Sequence, residues 1–257
     1  MVAYDKKGHC RIWQFSDMHL FADGSQELYG VNCNDSFQRV LTKALSLSEQ
    51  ADFCLLTGDL AQDETEAAYQ RLLGYLDRLA MRSYCLPGNH DADEVMRRVL
   101  STDKVSCNGY VLYGRWLLIL LDTTISGSNA GHLSEAEFRR ADGLVKKHAD
   151  KHVLLVMHHP PLVTKMAWLD NGVTLDNPEC VHHLVAGYSN IRGVVWGHVH
   201  HEFQETRDDV LWLACPSTMA QFKPNVVEFE LDDFMPGFRC IELWDDGAIE
   251  THVIRLV

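Results

Sequence analysis

Short, nearly continuous apolar runs punctuate the chain at residues 11–15, 53–56, 84–86, 116–121, 153–157 and 193–196. Their length and their polar or glycine-bearing boundaries predict strands buried on both faces. Between several of them the apolar spacing turns helical. Phe37, Val40, Leu41, Ala44 and Leu45 repeat behind Asp35, and Tyr69, Leu72, Leu73, Leu76 and Leu79 behind Thr65. Ser134 followed by Glu137 predicts a capping box for a third helix reaching about His148, and Asn177 predicts the cap of a fourth running through Val185. Strand and helix in alternation is the α/β signature. After His201 the pattern changes to strands without helices, at 210–215, 226–230, 238–244 and, past the Asp245-Asp-Gly247 turn, 249–256. A second, more antiparallel sheet packed against the first, with helices outside, would bury all these runs. With no repeat and no linker-like stretch, one domain is expected over 10–257, after a loose start at 1–9.

Composition narrows the class. The 257 residues are 46% apolar and 23% charged, which excludes disordered, fibrous and membrane-embedded chains. A chain of this length buries roughly three-quarters of the surface its unfolded form exposes, so crosslinks are not needed. Lys plus Arg is 23 against 36 Asp plus Glu, a net charge of -13 that repels polyanions, so neither nucleic acid nor an anionic membrane is an expected partner. The eight cysteines form no CxxC or other zinc-type pair, and in Asp52-Phe-Cys-Leu-Leu56 or Leu211-Trp-Leu-Ala-Cys215 the thiol reads as a small core hydrophobe. The first ten residues contain no apolar signal region, and the run 116–121 is too short to cross a bilayer. The expected setting is cytoplasmic, with reduced thiols. No sustained heptad points to an oligomeric state.

The chemistry sits where the expected strands end. Asp17-Met-His19 follows the first, Gly58-Asp59 the second, Gly88-Asn-His-Asp91 the third, His158-His-Pro160 the strand at 153–157, and Gly197-His-Val-His200 the strand at 193–196. The carboxyl edge of an α/β sheet is where ligands bind, because loops converge there from strands of fixed position. Singly, each cluster reads as turn, cap or surface residues. Five in succession, in the same strand-to-loop context, point to one centre. Asp, Asn and His without thiolate favour divalent Fe, Mn, Zn or Co. The candidate donors, Asp17, His19, Asp59, Asn89, His158, His198 and His200, exceed one tetrahedral site and suit two ions sharing a carboxylate. Two dications offset by Asp17, Asp59 and one hydroxide leave a charge near +1, which attracts a monoanion such as a phosphodiester.

These motifs, in this order, resemble the signature of the calcineurin-like metallophosphoesterase superfamily. More narrowly, Gly58-Asp-Leu-Ala-Gln-Asp63, Leu86-Pro-Gly-Asn-His90, Trp168-Leu-Asp170 and Ser217-Thr-Met-Ala-Gln-Phe-Lys-Pro224 resemble the bacterial class III 3′,5′-cyclic AMP phosphodiesterases, over nearly the whole chain. The resemblance implies a four-layer αββα sandwich, two mixed sheets flanked by helices, with a dinuclear centre at one end. It implies Asp17, His19, Asp59 and His200 as ligands of one metal, Asp59, Asn89, His158 and His198 as ligands of the other, Fe and/or Mn as the metals, and a bridging hydroxide as nucleophile. His158 rather than His159 matches the family's His-x-Pro element, and His201 is expected to point away. It implies His90 beside the phosphate and leaving oxygen, so that His19, Asp59, Asn89, His90 and His200 face the substrate. Trp168 and Gln221-Phe222 read first as core packing and otherwise as walls of a nucleotide pocket. Where several relatives carry an acid three positions after the bridging Asp, this chain has Gln62, with the acid next, at Asp63. Asp63 is then either the orienting partner of His90 or a helix cap. The implied reaction is hydrolysis of 3′,5′-cyclic AMP. Its rivals are 2′,3′-cyclic nucleotides or another small phosphodiester and, from another class, a metal-binding scaffold without activity. Phosphoprotein phosphatase activity is disfavoured, because the Gly-Asp loop lacks the arginine those enzymes place after it.

Overall fold

The computed structural model describes residues 8–257. Of the expected loose start, residues 1–7 lie outside the described residues, and His9 already belongs to the first strand. The elements run β1 His9–Phe15, β2 Glu27–Leu28, β3 Val31–Asn32, α1 Cys33–Leu45, β4 Phe53–Thr57, α2 Glu66–Leu76, β5 Arg82–Leu86 and α3 Asp93–Leu100. They continue with β6 Val105–Ser106, β7 Tyr110–Tyr113, β8 Trp116–Leu120, α4 Glu135–Lys147, β9 His152–Val156, α5 Ala167–Asp170, α6 Glu179–Gly187 and β10 Ile191–Trp196. The last are β11 Phe203–Arg207, β12 Val210–Ala214, β13 Gln221–Phe222, β14 Leu231–Asp232, β15 Gly237–Trp244 and β16 Ile249–Arg255.

Two six-stranded sheets carry the fold, in the orders β16-β15-β1-β4-β5-β6 and β11-β12-β10-β9-β8-β7. Each has a parallel run of strands, closed by antiparallel strands on one side in the first sheet and on both sides in the second. In the first, β1, β4, β5 and β6 are parallel, and β15 and β16 add antiparallel. In the second, β8, β9, β10 and β12 are parallel, while β7 and β11 run against them. The C-terminal strands thus do not build a separate antiparallel sheet, as their sequence pattern suggests, but divide between the two mixed sheets. Pattern alone does not tell which partner a strand joins, since that depends on contacts far apart in sequence.

Alternation along each strand explains the layers. Phe53 and Leu55 point between the sheets, whereas Cys54 and Leu56 point outward beneath the first-sheet helices. Trp116, Leu118 and Leu120 likewise face the inter-sheet core, and Leu117 and Ile119 face the layer with α4 and α6. Both faces are covered, so these strands read as continuous apolar runs.

Local expectations were met unevenly. Thr65 caps α2 and Ser134 caps α4 through their side chains. The Glu137 carboxylate, however, turns to Arg140 and the Asp122 N–H, so the box closes on one side only. Helix α1 starts earlier than Asp35 implies, because the Asn32 side chain accepts from the Asp35 N–H and places Asp35 in the first turn. Asn177 does not cap α6; its amide instead bonds both backbone groups of Leu133. Residues 226–230 form no strand. Phe229 there packs on aromatic rings from other segments, which breaks the register a strand would need.

Two polar side chains inside the sandwich join the sheets at the end where the candidate motifs lie. Gln14 on β1 stands opposite Arg239 on β15. The Gln14 amide donates to the Trp196 carbonyl at 3.1 Å, at the end of β10. The fully buried Arg239 donates to the Ala214 carbonyl at 2.9 and 3.1 Å, to Phe203 O at 3.2 Å and to Thr251 Oγ1 at 3.1 Å. Arg239→Met keeps the volume but leaves buried carbonyls unpaired. It should cost about 3 kcal/mol, and a fall in Tm of roughly 6–12 °C is the expected calorimetric result.

Candidate metal centre

Five strands of the two sheets deliver the motif residues to one end of the sandwich. Asp17 and His19 follow β1, Asp59 follows β4, and Asn89 and His90 follow β5, all in the first sheet; His158 follows β9 and His198 and His200 follow β10 in the second. Side chains two apart converge here through a backbone device. Asp17, His19, Asp59, His198 and His200 all have left-handed φ, at 53°, 44°, 51°, 68° and 43°. Each such residue costs about 1–2 kcal/mol and persists only where its surroundings hold it. The loops 17–20 and 58–62 hold each other as a short parallel pair, with Asp17 N–H to Gly58 O at 3.1 Å, His19 N–H to Asp59 O at 2.9 Å and Leu20 N–H to Leu60 O at 3.0 Å. The Asp17 carboxylate accepts the His198 N–H at 3.0 Å and so links the sheets.

The donor atoms form two clusters. In the first, atoms of Asp17, His19, Asp59 and His200 lie within 4.8 Å of one another. His19 directs Nδ1 to Gln62 Oε1 at 2.7 Å, and His200 directs Nδ1 to the Ala220 carbonyl at 3.0 Å. Those acceptors require the ring protons on Nδ1, so the Nε2 atoms are bare, and they face each other at 3.0 Å. Burial lowers the His19 imidazole to about 4, and burial followed by the proximity of His19 holds His200 well below the usual histidine range. Two lone pairs therefore meet with no proton between them.

The second cluster has one proton for many acceptors. His158 gives its Nδ1–H to Thr57 O at 2.8 Å. Its Nε2 faces Asn89 Oδ1 at 3.0 Å, His198 Nδ1 at 3.2 Å and Asp59 Oδ1 at 3.3 Å. His198 Nε2 is committed to Val173 O at 2.6 Å, which leaves its Nδ1 bare as well. Burial would lower His158, but the Asp59 carboxylate outweighs it and pushes the imidazole up to about 9. Burial likewise pushes Asp17 up to about 7, with His158 opposing and Asp59 reinforcing. Crowded bare donors of carboxylate, amide and imidazole type fit divalent cations.

Asp59 stands between the clusters, Oδ2 at 3.6 Å from His19 Nε2 and Oδ1 at 3.3 Å from His158 Nε2. His90 is fixed by its N–H to Asp59 Oδ1 at 2.9 Å and by the Gln62 amide, which donates to Nδ1 at 3.3 Å. Asp63 does not reach His90. Its carboxylate accepts from Ala22 N–H, Thr65 N–H and Thr65 Oγ1, and it serves the turn before α2. Asp91 is the clamp beneath, accepting from the N–H groups of Leu60, Ala61 and Gly88 and from the Tyr69 hydroxyl. His159 also has a ring nitrogen within 4.8 Å of donors of His158 and His198; its Nδ1 bonds Thr123 Oγ1 at 2.8 Å, and its buried Nε2 meets no hydrogen-bond partner. His201 lines a separate small cavity with Val199 and Phe203, away from both clusters.

Sequence reasoning noted Gln62 only as a departure and missed Asn129, Tyr29 and Phe229, which line the cavity above the clusters, and it gave Trp168 and Phe222 to the core first. Both do pack on the outer layer of the second sheet. Both also wall this cavity of about 290 Å³, together with Tyr29, Phe229, His90 and Asn129. Phe222 stacks on His200 with centroids 4.0 Å apart and planes at 6°, and Trp168 meets Phe229 edge-on at 5.1 Å. The only signal in the sequence was an aromatic residue in each of three loops that the fold alone brings together.

The sandwich and its paired donor clusters define a metallophosphoesterase. Consistently, the Calcineurin-like phosphoesterase family model matches residues 10–202, and the chain belongs to that family. Its relatives include the 3′,5′-cyclic adenosine monophosphate phosphodiesterase CpdA of Escherichia coli (strain K12), 36% identical over 247 residues that cover 96% of this chain and 90% of the relative. A 3′,5′-cyclic-nucleotide phosphodiesterase of Nostoc sp. is 34% identical over 245 residues, covering 95% and 92%. Among solved structures, a dimetal phosphatase from Danio rerio shares the fold at a TM-score of 0.66 and 13% identity, over 96% of this chain and 99% of its own.

Close backbone approach is what lets Asp59 and the Asn89 loop share space. A Cβ on Gly88 would lie 2.2 Å from Asp59 Oδ1 and 2.3 Å from Asp59 N, so Gly88→Ala must push the two loops apart. We expect this variant to retain its circular dichroism spectrum but less than about half the wild-type content of divalent metal by elemental analysis, because ligand geometry tolerates only small displacement.

Proposed function

We propose that the chain hydrolyses 3′,5′-cyclic AMP to 5′-AMP at a centre of two divalent cations. Family membership and relatives named as cyclic-nucleotide phosphodiesterases make it a metal-dependent phosphodiesterase. The observation that carries the finer reading is the joining of two bare-donor clusters across Asp59 with an aromatic-walled cavity directly above them. In this reading Asp17, His19, Asp59 and His200 hold one cation, and Asp59, Asn89, His158 and His198 hold the other. Iron and manganese suit that donor set, as do zinc and cobalt. Bound there, the cations supply Lewis acidity and a water acidic enough to serve as hydroxide near neutral pH.

The chain's own groups do the rest. The carbonyls Thr57 O, Val173 O and Ala220 O accept from the His158, His198 and His200 rings and hold them in the tautomers that leave a donor bare. Gln62 leaves His90 with its proton on Nε2, on a ring that lines the cavity, so His90 is the group to donate to the departing O3′. The Asn89 amide donates to Asn129 Oδ1 at 3.4 Å and lines the same cavity, where it can donate to a bound phosphate. Tyr29, Trp168, Phe222 and Phe229 offer ring faces and edges to a planar base, which favours a nucleotide over a smaller diester.

The decisive measurement is product analysis with protein loaded separately with Fe(II) and Mn(II). Conversion of 3′,5′-cyclic AMP to 5′-AMP is expected; turnover confined to 2′,3′-cyclic AMP would overturn the substrate, and no diester hydrolysis with either metal would overturn the reaction. His90→Ala should lower kcat by roughly 10²–10⁴ while metal content stays at the wild-type level. Trp168→Ala should raise KM for cyclic AMP about tenfold, the scale of one lost base–aromatic contact. Hydrolysis of a base-free chromogenic diester should change much less in the same variant.

A further inference from the structure

A second cavity, of about 870 Å³, opens at the sheet edge where β6 and β7 lie, and it shares no lining residue with the cavity above the metal centre. Its walls include Cys85, Cys107, Arg97 and Asp122. The parallel register pairs Ser83 with Val105 and Tyr84 with Ser106, which brings Cys85 and Cys107 opposite each other just beyond. Their Sγ atoms are 3.2 Å apart. Neighbouring strands lie about 4.8 Å apart, within the Cα range of roughly 4.4–6.8 Å that disulfides span. No other pair of thiols among the described residues has a sulfur–sulfur contact given by the geometry.

We propose that Cys85 and Cys107 are a dithiol that hydrogen peroxide closes to a disulfide, stapling β5 to the chain just after β6. Cys107 is the attacking sulfur. It is 8% exposed against 1% for Cys85, and both face a cavity that admits a molecule as small as peroxide. The hydrogen bond between the two thiols, and after it the Arg97 guanidinium, favour the Cys107 thiolate, while the same contact, followed by burial, pushes Cys85 up, the pattern of a nucleophile beside a resolving thiol. The Cys107 thiolate attacks one peroxide oxygen, the O–O bond breaks, and the departing hydroxide takes a proton to leave as water. The Cys85 sulfur then attacks the resulting sulfenic sulfur; the S–O bond breaks, and the oxygen leaves as a second water with the Cys85 proton and the sulfenic one. Two thiols and one peroxide thus give one disulfide and two waters, peroxide being the species reduced.

Burial raises Cys10, Cys54 and Cys215 well above the usual thiol range, which keeps them as unreactive thiols. Edge strand β6 is held to β5 by a register of only two residue pairs, so a covalent link at this place closes the least secured margin of the first sheet. The linked strand β5 is the one that leads through Leu86 to Asn89 and His90.

The test treats the metal-loaded protein with hydrogen peroxide, alkylates it under denaturing conditions and maps its peptides by mass. The expected result is six alkylated cysteines and a Cys85–Cys107 cross-linked peptide that a reductant reverses, with Tm raised by roughly 6–12 °C for closure of a loop of this length. Cys85→Ser should leave Cys107 as a sulfenic acid trapped by dimedone, and Cys107→Ser should leave Cys85 fully alkylated after the same treatment. Eight alkylated cysteines in the wild type, a disulfide between other cysteines, or unaltered sulfenic trapping at Cys107 in the wild type would each overturn the proposal.

Discussion

His19 Nε2 and His200 Nε2 face each other at 3.0 Å, each ring having sent its proton the opposite way, to Gln62 and to Ala220. Nothing in a hydrogen-bonding vocabulary satisfies such a contact, since neither atom has a hydrogen to give. A cation satisfies it, and the backbone around the pair is arranged to keep it in place. Five donors stand in left-handed conformations that a chain free to relax would leave. They remain because the loops 17–20 and 58–62 bond each other along their length and because Asp17 reaches across to the His198 N–H. The repulsion of lone pairs and the strain of the turns are thus held by the same ladder of backbone bonds, and a divalent cation converts the first into coordination.

That arrangement needs two sheets that do not slide. A Cβ on Gly197 would lie 2.1 Å from Ser16 Oγ and 2.7 Å from Thr57 O, so the second sheet comes against the first at this corner as closely as a backbone can. Gln14 and Arg239 bond across the same end of the sandwich, and the Ser217 hydroxyl donates to Asp17 O at 2.7 Å. Polar groups inside an apolar layer are costly unless satisfied. Gln14 and Arg239 sit at the end that carries the chemistry, Tyr113 and Trp116 bond across to Asp52 and the Trp244 carbonyl at the opposite end, and Ile12, Phe53, Leu118, Leu154 and Val195 fill the layer between with apolar volume. The sheets are thus pinned at both ends of an apolar middle.

Much of this was legible in the chain because its signals are local. A strand buried on both faces announces itself as an apolar run, and a donor placed just past such a run is placed at the sheet's carboxyl edge; Asp17, Asp59 and His158 follow from that alone. What escaped depends on contacts distant in sequence. Strand β15 joins β1, some 230 residues away along the register, and carries β16 on its other side, and no pattern within them says so. Asn177 has the spacing of a cap but a stronger claim from the backbone of Leu133. Residues 226–230 alternate well enough for a strand, yet Phe229 belongs to the aromatic wall with Tyr29 and Trp168, segments 200 and 61 residues earlier. Helix α3, with Asp93 and Glu94 in its first turn and Arg97 and Arg98 in its last, is too short and too charged for its periodicity to stand out.

Gln62 shows how a departure in sequence acquires a physical meaning. A carboxylate at that position accepts hydrogen bonds and does nothing else. The amide accepts from His19 with its oxygen and donates to His90 with its nitrogen. One side chain therefore sets two imidazoles in opposite senses, His19 with Nε2 bare and His90 with Nε2 protonated, which are the forms suited to holding a cation and to giving a hydrogen bond, respectively. It does so without adding negative charge beside Asp17 and Asp59, the two carboxylates of the centre. The acid displaced to Asp63 is then free to order the turn from Ala22 to Thr65, and the division of labour between neighbouring residues accounts for both.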